Sequence, residues 1–363
     1  MDTRTGRKNG DPKKRRRRIL TWVSVIVLLL IIGIGGYLVH AYTAIKDTAK
    51  EMHIDVKTTK TNNTTTTKST EPSPTITKKP INILLLGVDE RPNDPGRSDT
   101  IIVATLNPQT KSMLLTSIPR DTRALIVGKG NGDYYDKINA AYAYGGVDMS
   151  VATVQNLLGI NIDYVAKINF NGLKELVDAV GGITVNNPID WYDEGYYKKG
   201  YHYKKGIITL HGGAALGFAR MRHLDPQGDF GRNLRQRLVI EGILKKAAGP
   251  TILTNLDKIL QAVGDNVKTN ATFDEMKSMA VSYRQCRDTV YTHEVYATPE
   301  RINNLDYVVV SDAEKQKVGQ MIQDELDGTL DMSNYGGNSS DSSSSDSSNA
   351  SDDSTSSASS ASN

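Results

Sequence analysis

A single cysteine, Cys286, stands in 363 residues. It has no partner for an internal disulfide and excludes a cysteine-based zinc cluster, so it reads as a small core residue. No GxxxxGK[ST] segment occurs, and the glycine-rich GKGNGD at 128–133 lacks phosphate-loop spacing and reads as a flexible loop. Neither a GxSxG elbow nor an HExxH pair is present, so covalent catalysis has no evident nucleophile and a zincin site no ligands. Of six histidines, His53 falls in a polar linker and His223 beside an arginine-rich segment, and packing or loop roles suit them all. Internal repeats are absent. Charge excess is absent too: the net +3 is +7 from residues 1–18, with nine Lys/Arg against two acids, and −4 from the rest.

One stretch lacks charge altogether. Ile19–Val39 is 21 residues without a charged side chain, placed directly after KKRRRR. That length suits a helix crossing a bilayer core of about 30 Å, and the basic flank holds the N-terminus in the cytoplasm. The alternative is a cleaved signal peptide ending at VHA (39–41), but the apolar run exceeds the ~7–15 residues of such segments. The basic residues 1–18 read as a topology signal beside acidic lipid, and a nucleic-acid patch is the rejected alternative. Residues 40–80, rich in Thr, Lys and Pro, read as an external stalk. Residues 334–363, nearly all Ser, Asp, Asn and Ala, read as a disordered tail. The folded unit is then 81–333, outside the membrane.

Within it, INILLLGVD (81–89), SDTIIVATLNP (98–108) and KSMLLTSIPRD (111–121) read as strands at the centre of a sheet, the last two joined by a hairpin turn. INAAYAYGGVDMSVATVQNLLGI reads as helix. YVAKINF, NGLKELVDAVGG and ITVNNPI follow as strand, helix and strand, the helix stopped by Gly181-Gly182. GFARMR reads as a strand, HLDPQGD as a loop and FGRNLRQRLVIEGILKKAAG as a helix. YVVVSDAEKQKVGQMIQDEL closes with a strand and a helix capped by a Ser311/Glu314 box. The alternation predicts an α/β or α+β sandwich around one central sheet.

Five arginines crowd GFARMRHLDPQGDFGRNLRQRL: Arg220, Arg222, Arg232, Arg235 and Arg237. On a strand Arg220 and Arg222 share a face; on the following helix Arg232, Gln236, Val239 and Ile243 form one stripe, with the arginine at the amino end. Guanidinium forks at a helix N-terminus suit a multiply charged phosphate. The bland alternative for Arg235 and Arg237 is a solvated helix face with ion pairs to Asp225, Asp229 and Glu241. Upstream, Asp89 ends the first strand and Asp99 begins the second, with Arg91 and Arg97 between them. Arg120 and Asp121 end the third strand, and Lys137 and Asn139 follow. Two carboxylates at neighbouring strand ends make a site for Mg²⁺, with Mn²⁺ the alternative, sharing ligands with a diphosphate.

LLLGVDERPNDPGRSDTIIVATLNP, LLTSIPRDT, DKINAAYAYGG, VDAVGGITV and FARMRHLDPQGDFGRNLRQRLVI closely resemble the LytR-CpsA-Psr family of Gram-positive cell-wall enzymes, over roughly residues 81–250 and in the same order. The resemblance implies an α-β-α sandwich with one central mixed sheet, preceded by a single transmembrane helix, and an apolar pocket for a prenyl chain. It implies a phosphotransferase that moves a teichoic acid or capsular polysaccharide from a polyprenyl-diphosphate carrier to peptidoglycan. By the same resemblance Asp89 and Asp99 hold Mg²⁺, while Arg91, Arg97, Arg120, Arg220, Arg222, Arg232 and Gln236 grip the diphosphate, with Lys137 and Asn139 as further candidates. Asp121 and Asp229 are each either a general base or an orienting partner of an arginine. A non-catalytic tether for anionic wall polymer and a polyprenyl-diphosphate hydrolase are the alternative functions. A transcriptional regulator is excluded by topology, since only residues 1–18 face the cytoplasm. The tyrosine- and lysine-rich segment 190–206 reads either as a sugar-stacking surface or as an ordinary hairpin.

Overall fold

The computed structural model describes residues 48–56, 79–90, 94, 96–247 and 259–335. The expected membrane span, all of the tail after Tyr335, most of the stalk and Arg91 lie outside these residues. Among the described residues no helix is long and apolar enough to cross a membrane.

The centre is a six-stranded mixed sheet. Its strands are β1 (Ile81–Val88), β2 (Ser98–Asn107) and β3 (Ser112–Ser117), joined after two short strands, β4 (Arg123–Leu125) and β5 (Tyr135–Lys137), by β6 (Tyr164–Asn169). Among the described residues eight strands lie outside it in pairs: β4 with β5, β7 (Ile183–Asn187) with β10 (Gly206–Leu210), β8 (Trp191–Tyr192) with β9 (His202–Tyr203), and a last hairpin given below. β11 (Val267–Thr269) and β12 (Thr289–Glu294) complete the sheet in the order β11-β6-β1-β2-β3-β12, and β13 (Thr298–Ile302) with β14 (Leu305–Val309) forms a separate hairpin. β1 runs antiparallel to β2 and parallel to β6. The three strands expected at the sheet centre are adjacent as read, and Lys111, with φ 57°, turns the β2–β3 hairpin.

The helices are α1 (Ala140–Leu158), α2 (Phe170–Ala179), α3 (Gly212–Arg220), α4 (Asp229–Ala247), α5 (Phe273–Ser282) and α6 (Asp312–Asp327). α1 and α6 pack on each other and on β2, while α4 packs on β3 and β12. Side chains alternate across a sheet. On β1 the even residues Asn82, Leu84, Leu86 and Val88 are fully buried, whereas Ile83, Leu85 and Gly87 on the other face are only half-buried. Ile83 and Leu85 join Ile102, Ala104 and Leu115 in a cluster with Ile240 and Leu244 of α4. That incompletely filled face becomes a cavity below.

Four expectations need correction. GFARMR is not a strand: Gly212–Arg220 is helical, and only Met221 and Arg222 leave it. Its glycines lower helix propensity, but a Cβ at Gly212 would lie 2.2 Å from the Lys174 carbonyl oxygen of α2, so the residue is small to let two helices meet. β7 is a strand, as read, yet it leaves the main sheet to pair with β10. The α6 cap is half a box: Ser311 Oγ accepts from Glu314 N at 3.2 Å, while the Glu314 carboxylate accepts from Tyr296 N at 3.0 Å. Residues 48–56, read as stalk, pack on the domain: Met52 is buried with Leu260 and Val263, and Ile54 N donates to Thr269 O at 2.9 Å. Residues 332–335, in a separate compact unit beginning at Asp331, form a 3-10 turn.

Candidate active site

The β1–β2 register shifts between Gly87↔Thr100 and Val88↔Ser98, which leaves Asp99 as the extra residue of a bulge. Bulges re-aim side chains beside functional sites. The loop returns to β1 closely, with Asp89 N donating to Arg97 O at 3.3 Å. Gly96, at φ +74°, is required there: a Cβ would sit 2.3 Å from the Asp89 carbonyl oxygen. Asp89 and Asp99 thus lie at the same end of the two central strands.

Arg120, just beyond β3, joins the parts. Its Nη1 donates to Asp99 Oδ1 at 2.9 Å, and its Nε lies 3.7 Å from Asp121 Oδ2 and 3.8 Å from Asp229 Oδ2. Asp229, first residue of α4, also meets Arg222 Nε at 2.7 Å and Arg232 Nη2 at 3.1 Å. Lys137 Nζ on β5 meets Asp121 Oδ1 at 2.9 Å. One chain of ion pairs therefore runs Lys137, Asp121, Arg120, Asp229 and Arg232, with Asp99 and Arg222 as branches.

This network carries four cations against three carboxylates in its ion pairs. Burial pulls the Arg120 pKa down, but Asp99, Asp121 and Asp229 hold it above the ordinary arginine value. Arg232 is held below that value, by burial first and by neighbouring Arg120 next. It is a cation short of anions. The Nε atoms of Arg120 and Arg232 and the Oδ1 of Asn139 are buried without a hydrogen-bond partner, which marks groups awaiting one.

Beside the network opens an apolar cavity of about 250 Å³ between the half-filled sheet face and α2, α3 and α4. Leu85, Ile168, Leu173, Val239, Ile240 and Leu244 contribute walls, and the polar residues of the lining are Thr100, Asn169, Arg220 and Gln236. Gln236 lies one turn from Arg232 on α4, on the same face. The Arg220 guanidinium lies 4.8 Å from the Phe170 ring centroid and 5.6 Å from that of Tyr196.

The structure brings together Asp99, Arg120, Asp121, Lys137, Arg222, Asp229 and Arg232. Arg220 and Gln236 stand at the cavity, Asn139 contacts Arg120 through its backbone N at 3.2 Å, Arg97 is exposed in the loop, and Arg91 lies outside the described residues. Arg235 and Arg237 are not on a solvated face. Arg235 is fully buried, pairs with Asp225, and donates to the Met221 and Phe218 carbonyls that end α3. Arg237 pairs with Glu294 of β12 at 3.2 Å. Sequence reading missed Glu90, whose carboxylate accepts from Lys167 Nζ at 2.7 Å and from Tyr142 Oη at 2.5 Å. Burial would raise its pKa, but those partners hold it below the ordinary value and pin the turn that carries Asp89.

Asp89 and Asp99 are the two carboxylates that would hold a hard cation here, and Asp99 is paired with Arg120 at 2.9 Å. Among the described residues no group of three or more His, Cys, Asp or Glu gathers, so there is no complete protein cage. Two carboxylates suit Mg²⁺, which keeps waters and takes its remaining ligands from substrate phosphates.

The fold is a mixed-sheet α/β sandwich that sets an arginine–carboxylate network beside an apolar cavity. The chain belongs to the LytR_cpsA_psr family, which it matches over residues 39–324. It is 42% identical over 315 residues to the polyisoprenyl-teichoic acid–peptidoglycan teichoic acid transferase TagU of Bacillus anthracis, covering 86% of this chain and 99% of that one. The crystal structure of Bacillus subtilis TagV superposes with a TM-score of 0.62 at 35% identity, covering 69% of this chain and 99% of that one. TagT bound to LIIa-WTA does so with a TM-score of 0.62 at 27% identity, covering 76% and 100%.

Proposed function

We propose that this protein is a membrane-anchored phosphotransferase that moves a glycopolymer, a teichoic acid or wall polysaccharide, from a polyprenyl-diphosphate carrier to peptidoglycan. The carrying observation is the junction of cavity and network: an apolar chain in the cavity delivers its diphosphate past Arg220 and Gln236 to Arg232, Arg222 and Arg120. Family membership and the named activity of the 42% identical relative support the same reading. The uncharged run 19–39 anchors the domain on the outer membrane face, with residues 1–18 in the cytoplasm.

The reaction is a displacement at phosphorus. An acceptor hydroxyl oxygen attacks the sugar-bearing phosphorus, the bridging P–O bond breaks, and its electron pair leaves with prenyl monophosphate. The hydroxyl proton passes to a site carboxylate, Asp121 or Asp229. Such chemistry needs alignment and charge neutralisation above all. Prepaired arginines supply both without ATP, because the diphosphate bond already stores the free energy. Mg²⁺ at Asp89 and Asp99, when bound, neutralises developing charge on the phosphate oxygens.

The test is transfer by the purified protein from a polyprenyl-diphosphate-sugar to peptidoglycan fragments, with and without Mg²⁺. Metal-dependent product that disappears in Arg222→Ala and Asp89→Ala is expected. Full activity in Arg222→Ala sinks the assignment. Binding without turnover under any acceptor makes the protein a tether, and phosphate release without transfer makes it a hydrolase.

A further inference from the structure

The tyrosine- and lysine-rich segment 190–206 is a hairpin, closed where β8 pairs with β9, and the reaction above does not use it. Its buried rings pack on α3. Trp191 and Tyr203 stack at 4.0 Å, and Tyr203 Oη donates to Ala214 O of α3 at 2.9 Å. A Cβ at Gly213 would lie 2.7 Å from the Tyr197 ring, and one at Gly217 2.6 Å from the Tyr203 hydroxyl, so the small residues of α3 admit the hairpin. Helix α3 ends at Arg220, which lines the cavity.

The tip of the hairpin presents one further ring to that arginine. The Asp193 carboxylate is buried and accepts from the backbone N–H groups of Gly195, Tyr196, Tyr197 and Lys198 at 2.7–2.9 Å, which fixes the turn. Tyr196 is thereby set beside Arg220, whose guanidinium carbon lies 5.6 Å from its ring centroid and 4.8 Å from that of Phe170, the first residue of α2. Arg220 differs in this from the other site arginines. Arg120, Arg222 and Arg232 each meet a carboxylate. Among the described residues Arg220 has neither an ion pair nor a hydrogen bond, and the two rings are what flank its charge.

We propose that Phe170 and Tyr196 are positioning residues that hold the Arg220 guanidinium at the cavity for the donor's diphosphate; this rests on the diphosphate reading of the site. A π face attracts a cation without taking any of its N–H groups. An aspartate in the same place would occupy one fork of the guanidinium and cancel its charge. The rings leave all the N–H donors and the full positive charge to the phosphate that arrives. They also restrict a long side chain that is otherwise exposed, so less freedom is lost when the diphosphate binds.

The full-length protein in detergent is titrated by calorimetry with farnesyl diphosphate and, separately, with farnesol, and donor and acceptor are varied independently in transfer assays. Phe170→Leu and Tyr196→Leu each remove a π face while keeping apolar bulk. Each should weaken farnesyl diphosphate binding about threefold, the loss expected of one exposed cation–π contact. Donor KM should rise alike, while farnesol affinity and acceptor KM hold. Tyr196→Phe, which keeps the ring, should bind as the parent does. In an Arg220→Ala background neither leucine variant should cost anything further, because the group they hold is gone. Unchanged diphosphate affinity in both leucine variants overturns the proposal. Equal losses with farnesol overturn it too, since they assign the rings to the cavity wall, and so does an undiminished loss in the Arg220→Ala background, which assigns them to the fold. A parent that binds the diphosphate but transfers nothing defeats the transferase reading alone, and the binding arm still decides the role of the rings. A parent that does not bind the diphosphate overturns the proposal itself.

Discussion

Asp225→Ala should unfold the arginine loop from beneath. Asp225 and Arg235 are paired with side chains 4% and 0% exposed, so neither charge has water to fall back on. Stranding one member of a buried pair costs ~3–5 kcal/mol, against a total stability of ~5–15 kcal/mol for a domain. At ~2–4 °C per kcal/mol for a chain of this size, the melting temperature should fall by about 6–20 °C. Arg235→Met should cost a similar amount, because the Phe218 and Met221 carbonyls lose their donor. The double variant should lose less than the sum of the two, since no uncompensated charge stays buried. Urea unfolding followed by Trp191 fluorescence reads this directly, as that indole packs in the same cluster as Phe218 and Met221. Arg222→Ala is the contrast: its side chain is 47% exposed, so breaking its pair with Asp229 should cost under ~1 kcal/mol while abolishing transfer. A melting temperature within about 2 °C of the parent for Asp225→Ala would refute the scaffold role, since a charge stranded in the interior cannot cost so little.

Ile240→Trp, which builds an indole into the cavity wall, should lower activity with long prenyl donors far more than with short ones. Equal losses across chain lengths would remove the lipid from the cavity. Glu325→Gln should change the pH dependence of stability. Glu325 is buried, accepts from Ser112 Oγ at 2.6 Å, and burial pushes its pKa up to about 7 from 4.5. The folded state therefore holds the proton more tightly, and stability is lost as pH rises between those values, by roughly 3 kcal/mol. The glutamine variant should match the parent near pH 4 and melt higher than it at pH 8. Parallel melting curves across that window count against the buried carboxylate.

The central strands were legible because their apolar runs are uninterrupted and bounded by turn residues, and the α4 stripe because Gln236, Val239 and Ile243 recur at helical spacing and do line the cavity. GFARMR misled because its apolar and basic residues alternate locally. As a helix it brings Gly212 against α2, a tertiary contact no local pattern records. The five arginines looked alike in one dimension. Burial divides them: Arg222 and Arg232 meet Asp229, whereas Arg235 holds the end of α3. Glu90, Lys167 and Tyr142 were invisible because they lie on three elements and come together only through the parallel β1–β6 pairing and the first turn of α1.

The choice between Asp121 and Asp229 as proton acceptor turns on what their oxygens already do. Asp229 Oδ2 accepts from Arg232 Nη2 at 3.1 Å and lies 3.8 Å from Arg120 Nε, while Oδ1 is ion-paired with Arg222 Nε at 2.7 Å but accepts no hydrogen bond, so all three of its close neighbours are guanidinium groups. Asp121 has one close cation, Lys137 Nζ at 2.9 Å on Oδ1, and its other oxygen stands 3.7 Å from Arg120. We propose that Asp229 orients three arginines and that Asp121 takes the proton of the incoming hydroxyl. Asp229→Asn removes one negative charge from the phosphate cradle while keeping the side-chain shape. At an effective dielectric of 20 and a few ångströms that charge is worth ~3–4 kcal/mol, screened to about 1 kcal/mol in a carboxylate 29% exposed. Donor KM should fall or hold, because the field turns more positive, while kcat drops as the arginines lose their common anchor. Asp121→Asn should lower kcat and flatten the acidic limb of its pH profile, leaving donor KM unchanged. If the flattened limb appears in Asp229→Asn instead, the two roles are reversed.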